Sequence, residues 1–324
     1  FNDAVSLYKQ VIRNDFNRYG VHLNLATILL TQGNFVEGFE EYEYRRITPE
    51  LKYKNFEIPY WNGENLNDKK ILILFEQGYG DAINFVRFIK YLKIKYPNSN
   101  LTFAVRKNLI TLLQKLNFID NIIDINGNIS VSQYDYYVYQ LSLIKHFIDN
   151  IFDCKKDSCF GIPTKEIKIP EVENKLKIGI CWRGSDKHKH THIRNLPLEE
   201  FLFLTEIPYK NKYQIYSFQL DATDEEVKLL EENGIIQLKD NIKDFYDSYS
   251  FISKMDYLIT VDTALLHLAG VNCKPKIYAY IGYFNDWRWL NGENPNIWYE
   301  NLTLLKNYNF SSKGFLKQVI NKYF

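Results

Sequence analysis

Asp262, Thr263 and His267 sit where an apolar run, Tyr257-Leu-Ile-Thr-Val261, gives way to Ala264-Leu-Leu-His267-Leu-Ala-Gly270. The first run reads as a buried strand and the second as a short helix. Asp or Thr at such a junction can cap the free N–H groups of the new helix. The same N–H groups, together with the helix dipole, favour a phosphate. An imidazole about one turn further on points back toward that anion. The set therefore offers recognition of a phosphorylated ligand at the carboxyl edge of a parallel sheet. Taken singly, each residue has a plainer reading as a cap or a satisfied half-buried histidine; their joint occurrence beside Gly270 favours a site.

Two further segments carry reactive groups. Glu76-Gln77-Gly78-Tyr79-Gly80-Asp81 lies between a strand and a helix, and its glycines permit tight turning and close approach of a ligand to the backbone. Asp81 is either an N-cap or a general base for an attacking hydroxyl. Ile178-Gly-Ile-Cys181-Trp182-Arg183-Gly184-Ser185 is a second strand entering a loop of small residues. Arg183, Lys187, Lys189 and Arg194 gather in and after that loop, as a diphosphate requires or as a solvated basic loop shows. His188, His190 and His192 alternate there, but no acidic or thiol ligand stands at a metal-binding spacing, so no metal is expected. Asn285-Asp286-Trp287-Arg288-Trp289 and Trp298-Tyr299 place aromatics that either wall a base or sugar, or close a core.

These groups need a frame, and 324 residues suffice for two ordinary cores. A 46% hydrophobic and 24% charged composition is that of a globular chain, and a net charge of +1 gives no reason to expect nucleic acid as partner. The 25 Tyr and 22 Phe against a single Met follow from a coding bias and receive no function. No apolar run is long enough to span a bilayer. Cys154, Cys159, Cys181 and Cys273 form no Cys-x-x-Cys pair, and the simple reading is a reducing, cytoplasmic compartment. The chain begins at Phe1 inside a helical pattern, which suggests a piece of something longer.

Periodicity divides the chain. Residues 1–46 are helical: Leu23, Leu25, Ala26, Leu29 and Leu30 make one apolar face, Gly33-Asn34 breaks it, and Phe35, Gly38, Phe39 and Tyr42 start another. That pattern is similar to a tetratricopeptide repeat, and so short a piece must lean on the next domain or continue an array. Strands and helices then alternate twice. Strands are expected at 71–75, 101–105, 122–125 and 136–139, with one long helix over 81–95. After a polar linker they recur at 178–182, 214–218, 235–238, 257–261 and 276–280, with helices between. The expected fold is α/β, two Rossmann-like domains at 47–170 and 171–300 facing each other, with a tetratricopeptide-like annex in front. A final helix in 301–324 is expected to pack back across the cleft.

Ile178-Gly-Ile-Cys-Trp-Arg-Gly184, Arg194-Asn-Leu-Pro-Leu-Glu-Glu-Phe201, Asp244-Phe-Tyr-Asp-Ser248, Asp256-Tyr-Leu-Ile-Thr-Val-Asp-Thr263, His267-Leu-Ala-Gly270 and Asp286-Trp-Arg-Trp289 occur in that order. The series resembles the heptosyltransferase-related glycosyltransferases of family nine, in the branch with tetratricopeptide repeats in front. Trp61-Asn-Gly63 and Glu76 to Asp81 resemble the start of that branch's catalytic region. The resemblance covers nearly the whole chain and implies a GT-B fold. It also implies a nucleotide-diphosphate sugar held by the C-terminal lobe and an acceptor entering from the N-terminal lobe. By that likeness Asp81 is the base and Arg194 lies near the diphosphate; Arg183, from its place in the basic loop, is expected to bind the donor too, and Gln77, Gly78 and Gly80 to serve as acceptor or loop residues. Asp262, Thr263, Ala264 and His267 fall on the phosphate loop and Gln219 near the nucleoside. Ala264 stands where many heptosyltransferases have glycine, which argues against heptose but not against phosphate binding.

The expected activity is inverting, metal-independent sugar transfer to a hydroxyl on a glycan or protein, with no cofactor. No Asp-x-Asp occurs in the chain, which fits cations and a helix dipole in place of a divalent metal. The repeat-like segment is expected to dock a protein acceptor. A protein-binding scaffold with a degenerate transferase body is the alternative. A nicotinamide-dependent oxidoreductase is disfavoured because no Gly-x-Gly-x-x-Gly occurs in either first loop.

Overall fold

The computed structural model describes all residues except Lys52, 171–172, 186–190, 284–285, 293–295, 310–311 and Phe324, and the side chains of Glu50, Thr191 and His192. Three helices open the chain: α1 (Asn2–Asn14), α2 (Tyr19–Thr31) and α3 (Phe35–Tyr42). A first βα series follows: β1 (Lys70–Leu74), α4 (Tyr79–Phe85), α5 (Arg87–Lys95), β2 (Asn100–Val105), α6 (Lys107–Leu113), β3 (Asn121–Asp124) and β4 (Tyr136–Tyr139). The second series is β5 (Leu176–Cys181), α7 (Thr191–Arg194), α8 (Tyr209–Lys212), β6 (Tyr213–Ser217), α9 (Asp224–Glu232), β7 (Ile236–Gln237), α10 (Phe245–Ile252), β8 (Tyr257–Val261), α11 (Ala264–Asn272), β9 (Lys276–Ile281), β10 (Leu302–Lys306) and α12 (Phe315–Ile320).

The strands form two wholly parallel sheets, ordered β3-β2-β1-β4 and β10-β9-β8-β5-β6-β7. In each, the order reverses beside the first strand of its series, the arrangement that opens a crevice at the carboxyl ends of the strands. The strands are apolar on both faces, as parallel strands covered on both sides must be. Along β1, Ile71 and Ile73 enter one core while Leu72 and Leu74 enter another with Ala104, Tyr137 and Tyr139. Leu258 of β8 and Ile277, Ala279 and Ile281 of β9 join the same core as Ile71 and Ile73, so one continuous core takes a face from each sheet. The other face of the second sheet, with Ile259, Val261, Tyr278 and Tyr280, has its own core.

The helical opening leans on this body. Gly38 lets α3 approach α2, since a Cβ there would lie 2.7 Å from Leu30 Cδ2. Phe35 and Phe39 enter the shared core, and the Phe39 ring meets Trp287 edge-on at 5.4 Å. The polar tie is deeper. Arg45, 1% exposed, grips Glu76 through Nε at 2.9 Å and Nη2 at 3.0 Å, and Nη2 also donates to Ser142. Glu76 accepts further from Tyr53 and from the Leu141 N–H. Glu76 is thus consumed in holding the helical opening to the end of β1.

Several expectations are corrected. The single helix over 81–95 is two, α4 and α5, and Arg87 Nε donates to the Asn84 carbonyl at the break. The expected helix after Pro197 is 3-10, over Leu198–Thr205. β10 lies within 301–324, where only a helix was expected; it is an edge strand paired to β9 alone, too short and half-polar to stand out. α12 buries Leu316 and Ile320 against Phe201 and Leu204 and pairs Lys317 with Glu206, so it covers its own sheet and does not cross the cleft. Cys159 and Cys273 are disulfide-bonded, only Cys154 and Cys181 being free thiols, which removes the cysteine argument for a reducing compartment. Among the described residues no helix is long and apolar enough to cross a membrane.

Breaking a buried pair by removing one partner strands the other charge and costs about 3–5 kcal/mol. Arg45→Met should therefore lower the thermal midpoint sharply, and adding Glu76→Gln should restore part of the loss. Differential scanning calorimetry showing an unchanged midpoint for Arg45→Met would contradict the role given to this pair.

Candidate functional site

Five strand ends converge on one cavity of about 540 Å³. From the first sheet come Gln77, Gly78, Gly80 and Asp81 after β1 and Arg106 after β2; from the second come Gly184 after β5, Asp262, Thr263, Ala264 and His267 after β8, and Asp286 and Arg288 after β9. Arg194, on α7, lines it as well. The cavity thus straddles both points where strand order reverses.

The helices α4 and α11 meet start to start. A Cβ on Gly80 would fall 2.7 Å from His267 Cδ2 and 3.4 Å from the Ala264 Cα, so the approach needs glycine there. Gly80 was expected to serve a tight turn; its backbone is not left-handed, and the residue of its loop with positive φ is Gln77, at 62°. At the start of α11 the expected cap is missing. Thr263 occupies the cap position, yet no side chain among the described residues accepts the N–H groups of the first turn. Asp262 turns instead toward Arg194, whose Nη2 donates to the Asp262 carbonyl and lies 3.4 Å from Oδ2. The Leu266 N–H is taken by the Thr263 carbonyl at 3.1 Å, which leaves the Ala264 and Leu265 N–H groups open at the start of α11.

Asp81 is the third residue of α4, and its Oδ2 accepts the Gly78 N–H at 2.8 Å. That is one half of a capping box. Its Oδ1 accepts from Arg288 Nη2, and Arg288 Nη1 donates to Asp286 Oδ1 at 2.6 Å. Arg288 lies over the Trp287 ring at 4.5 Å and within 3.4 Å of Gln77 Oε1. Burial pushes the Asp81 carboxyl up and outweighs the neighbouring Arg288 guanidinium. Asp262 is raised for the same reason, against the pull of Arg194. Asp286 goes the other way: burial would raise it, but the Arg288 guanidinium and the hydrogen bonds from Arg288 hold it down.

His267 is 4% exposed. Its ring stacks on Trp289 at 5.6 Å, and Nδ1 lies 2.8 Å from the Tyr299 hydroxyl. Burial, with Arg288 and Arg87 nearby, lowers its pKa from 6.5 to about 3, so it is neutral at pH 7. Arg87 itself joins the two halves, donating from Nη1 to the carbonyls of Cys154 and Trp298. The aromatics Trp287, Trp289, Trp298 and Tyr299 are buried in the core; the structure resolves that alternative against a wall for a base or sugar.

Two expected ligand residues face elsewhere. Arg183 pairs with Glu226 and donates to the Asp221 carbonyl, on the α9 side of its loop. Gln219 Oε1 accepts the Trp182 and Arg183 N–H groups at 3.2 and 3.1 Å, and its Nε2 donates to Asp221 at 2.6 Å. Neither lines the cavity, because that loop uses both side chains to fix its own course. Lys187, Lys189, His188 and His190 lie outside the described residues, as does the His192 side chain. Among the described residues, no group of three or more His, Cys, Asp or Glu side chains is placed to hold a metal. The charges that sequence reasoning passed over are Arg106, Asp286 and Arg288. The last two lie in Asp286-Trp-Arg-Trp289, a motif that helped carry the resemblance but was given no charged role, although an Asp-x-Arg pair beside a cleft was a usable signal.

No protein-family model matches the chain. Protein FlbA of Caulobacter vibrioides is 36% identical over 94 residues, which are 28% of this chain and 16% of that protein. Among solved structures, a family 9 glycosyl transferase from Veillonella parvula superposes with a TM-score of 0.56 at 13% identity, over 80% of this chain and 97% of the other. The ADP-heptose lipopolysaccharide heptosyltransferase II of Escherichia coli gives 0.54 at 12%, over 78% and 98%. The chain shares the fold of these glycosyltransferases, parallel α/β sheets included.

A histidine neutral when folded but charged when unfolded makes folding less favourable as pH falls from 6.5 toward 3. The carbon shifts of the His267 ring should accordingly show no inflection between pH 5 and 8, whereas an exposed histidine titrates at about 6.5. A midpoint near 6.5 in that titration would refute the burial assigned to it.

Proposed function

We propose that the protein is an inverting glycosyltransferase of GT-B architecture, using a nucleotide-diphosphate sugar and a hydroxyl-bearing acceptor. On this reading the two sheets are the Rossmann-like lobes, residues 47–170 receiving the acceptor and 171–300 the donor. The helices in residues 1–46 are a tetratricopeptide-like segment that positions a glycan or protein acceptor. One observation carries the proposal: an uncapped helix start, α11, opens into the same cavity as a carboxylate, Asp81, presented from the opposite sheet. The shared fold with the two glycosyltransferase structures supports it.

The donor diphosphate lies at the start of α11, where unpaired N–H groups and the dipole meet its charge. The described cavity lining carries Asp81, Asp262 and Asp286 against Arg106, Arg194 and Arg288, so it has no surplus of positive charge for an anion. Burial raises the Asp262 carboxyl against the pull of Arg194, and the phosphates compete with Asp262 for the Arg194 guanidinium. The acceptor hydroxyl attacks the anomeric carbon, its proton passes to Asp81, and the bond from that carbon to the diphosphate oxygen breaks. The diphosphate leaves with the electron pair, met by Arg194 and the helix start. Cations and a helix dipole thus do the work of a divalent metal, and the inverted product follows from a single displacement. Arg288 holds Asp81 toward the cavity and must loosen its grip as the proton arrives.

Asp81→Asn should lower turnover by at least about a hundredfold, the usual scale of a general base, while leaving nucleoside-diphosphate affinity nearly unchanged. Radiolabelled donor assays and calorimetry measure the two separately; wild-type turnover in Asp81→Asn removes it from the mechanism. Arg194→Ala should weaken nucleoside-diphosphate binding about tenfold or more, the worth of one charge-assisted contact. Equal affinity by calorimetry would overturn that placement.

A further inference from the structure

His267 reaches the cavity by only one edge. Its Nδ1 is taken by the Tyr299 hydroxyl at 2.8 Å, and the Cδ2–Nε2 edge borders Gly80, with Nε2 3.4 Å from where a Cβ would stand. A neutral imidazole carries one proton, so the partner of Nδ1 decides whether Nε2 offers a donor or a lone pair. That partner is itself tethered. Tyr299 Oη lies 2.9 Å from the amide of Asn84, a fully buried side chain on α4, one turn beyond Asp81.

Two hydrogen-bond directions satisfy these distances. With Asn84 Oδ1 toward Tyr299, the hydroxyl donates to Asn84, Nδ1–H donates to the hydroxyl, and Nε2 is left with a bare lone pair. That direction also leaves Asn84 Nδ2 buried without a partner. Turning the amide by half a rotation moves no other atom. Nδ2 then donates to Tyr299, Tyr299 donates to Nδ1, and Nε2 carries the proton. The amide atom left short of a partner is then a carbonyl oxygen, which interiors tolerate better than an unpaired N–H. The second direction also points a donor, not a lone pair, at an anion beside α11. It asks nothing of any other residue, whereas the first wastes a buried N–H and repels the ligand.

We propose that Asn84 and Tyr299 are positioning residues that fix the proton of neutral His267 on Nε2, so that the imidazole donates to the phosphate held at the start of α11. The inference rests on the phosphate site proposed above only for its ligand. The tautomer itself belongs to the unliganded protein. Asn84 and His267 sit on opposite helices of the cleft, so the element that carries Asp81 also sets the proton of the phosphate-binding histidine. Tyr299 fits this task closely, since its ring packs within 2.3 Å of where a Cβ on Gly270 would stand.

Long-range 1H–15N correlation spectra of the unliganded full chain, with His267 assigned by His267→Gln, read the tautomer directly. A pyrrole-type Nε2 and a pyridine-type Nδ1 are expected; the reverse assignment overturns the proposal. Asn84→Asp supplies a carboxylate that only accepts, so it should reverse the two shifts. Unchanged shifts in that variant would remove Asn84 from the role. Tyr299→Phe keeps the ring and loses the hydroxyl. It should weaken inorganic pyrophosphate binding by about tenfold, the scale of one charge-assisted bond, and leave the folded spectrum in place. Wild-type affinity in Tyr299→Phe overturns the part given to Tyr299. Should pyrophosphate fail to bind the wild type at all, the phosphate site falls. A pyrrole-type Nε2 in that same protein would still establish the tautomer, so the two failures separate.

Discussion

The structure turns on the meeting of two helix starts, α4 and α11, with Gly80 against His267. Helix N-termini carry positive partial charge, so two of them face to face repel unless negative charge lies between. Asp81 and Asp262 supply it in the free protein, each held by an arginine, Arg288 and Arg194. Burial raises both carboxyls against the pull of those arginines. The cleft is in this sense preloaded. On the function proposed above, the donor diphosphate would compete with Asp262 for Arg194 at this place.

The neighbouring parts make this arrangement rigid. The Arg45–Glu76 pair fixes the loop that leads into α4, and Arg87 ties α5 to the carbonyls of Cys154 and Trp298. The core runs without a break from the first sheet to the second, and the aromatics Trp287, Trp289 and Trp298 lie within it. The disulfide between Cys159 and Cys273 anchors the far end of α11 to a residue outside its own turns. A donor site needs that constraint, because a loss of about 1 Å in placement can cost a hundredfold in rate.

Much of this was legible in the sequence because the strands are short apolar runs bounded by Gly, Asp and Asn. β1, β5 and β8 lie within one or two residues of their expected places, and the loops after them supply three of the five strand ends that line the cavity. Local signals could not reveal what distance decides. Nothing near Glu76 announces Arg45 as its partner, 31 residues away, nor does anything near Asp81 announce Arg288, 207 residues away. Arg183 and Gln219 looked available because charge and amide are visible in sequence, whereas their consumption by Glu226 and by loop N–H groups is not. The Cys159–Cys273 bond spans 114 residues and was hidden for the same reason. Capping failed as a guide at Thr263 because the helix start there is left open, as a ligand-binding start would be.

A crystal structure with a bound nucleoside diphosphate tests the central claim most directly. The account predicts phosphate oxygens within hydrogen-bond distance of the Ala264 and Leu265 N–H groups, with Arg194 swung from Asp262 onto the phosphates. Phosphates bound elsewhere, or a cleft that stays empty at saturating nucleotide, would contradict it.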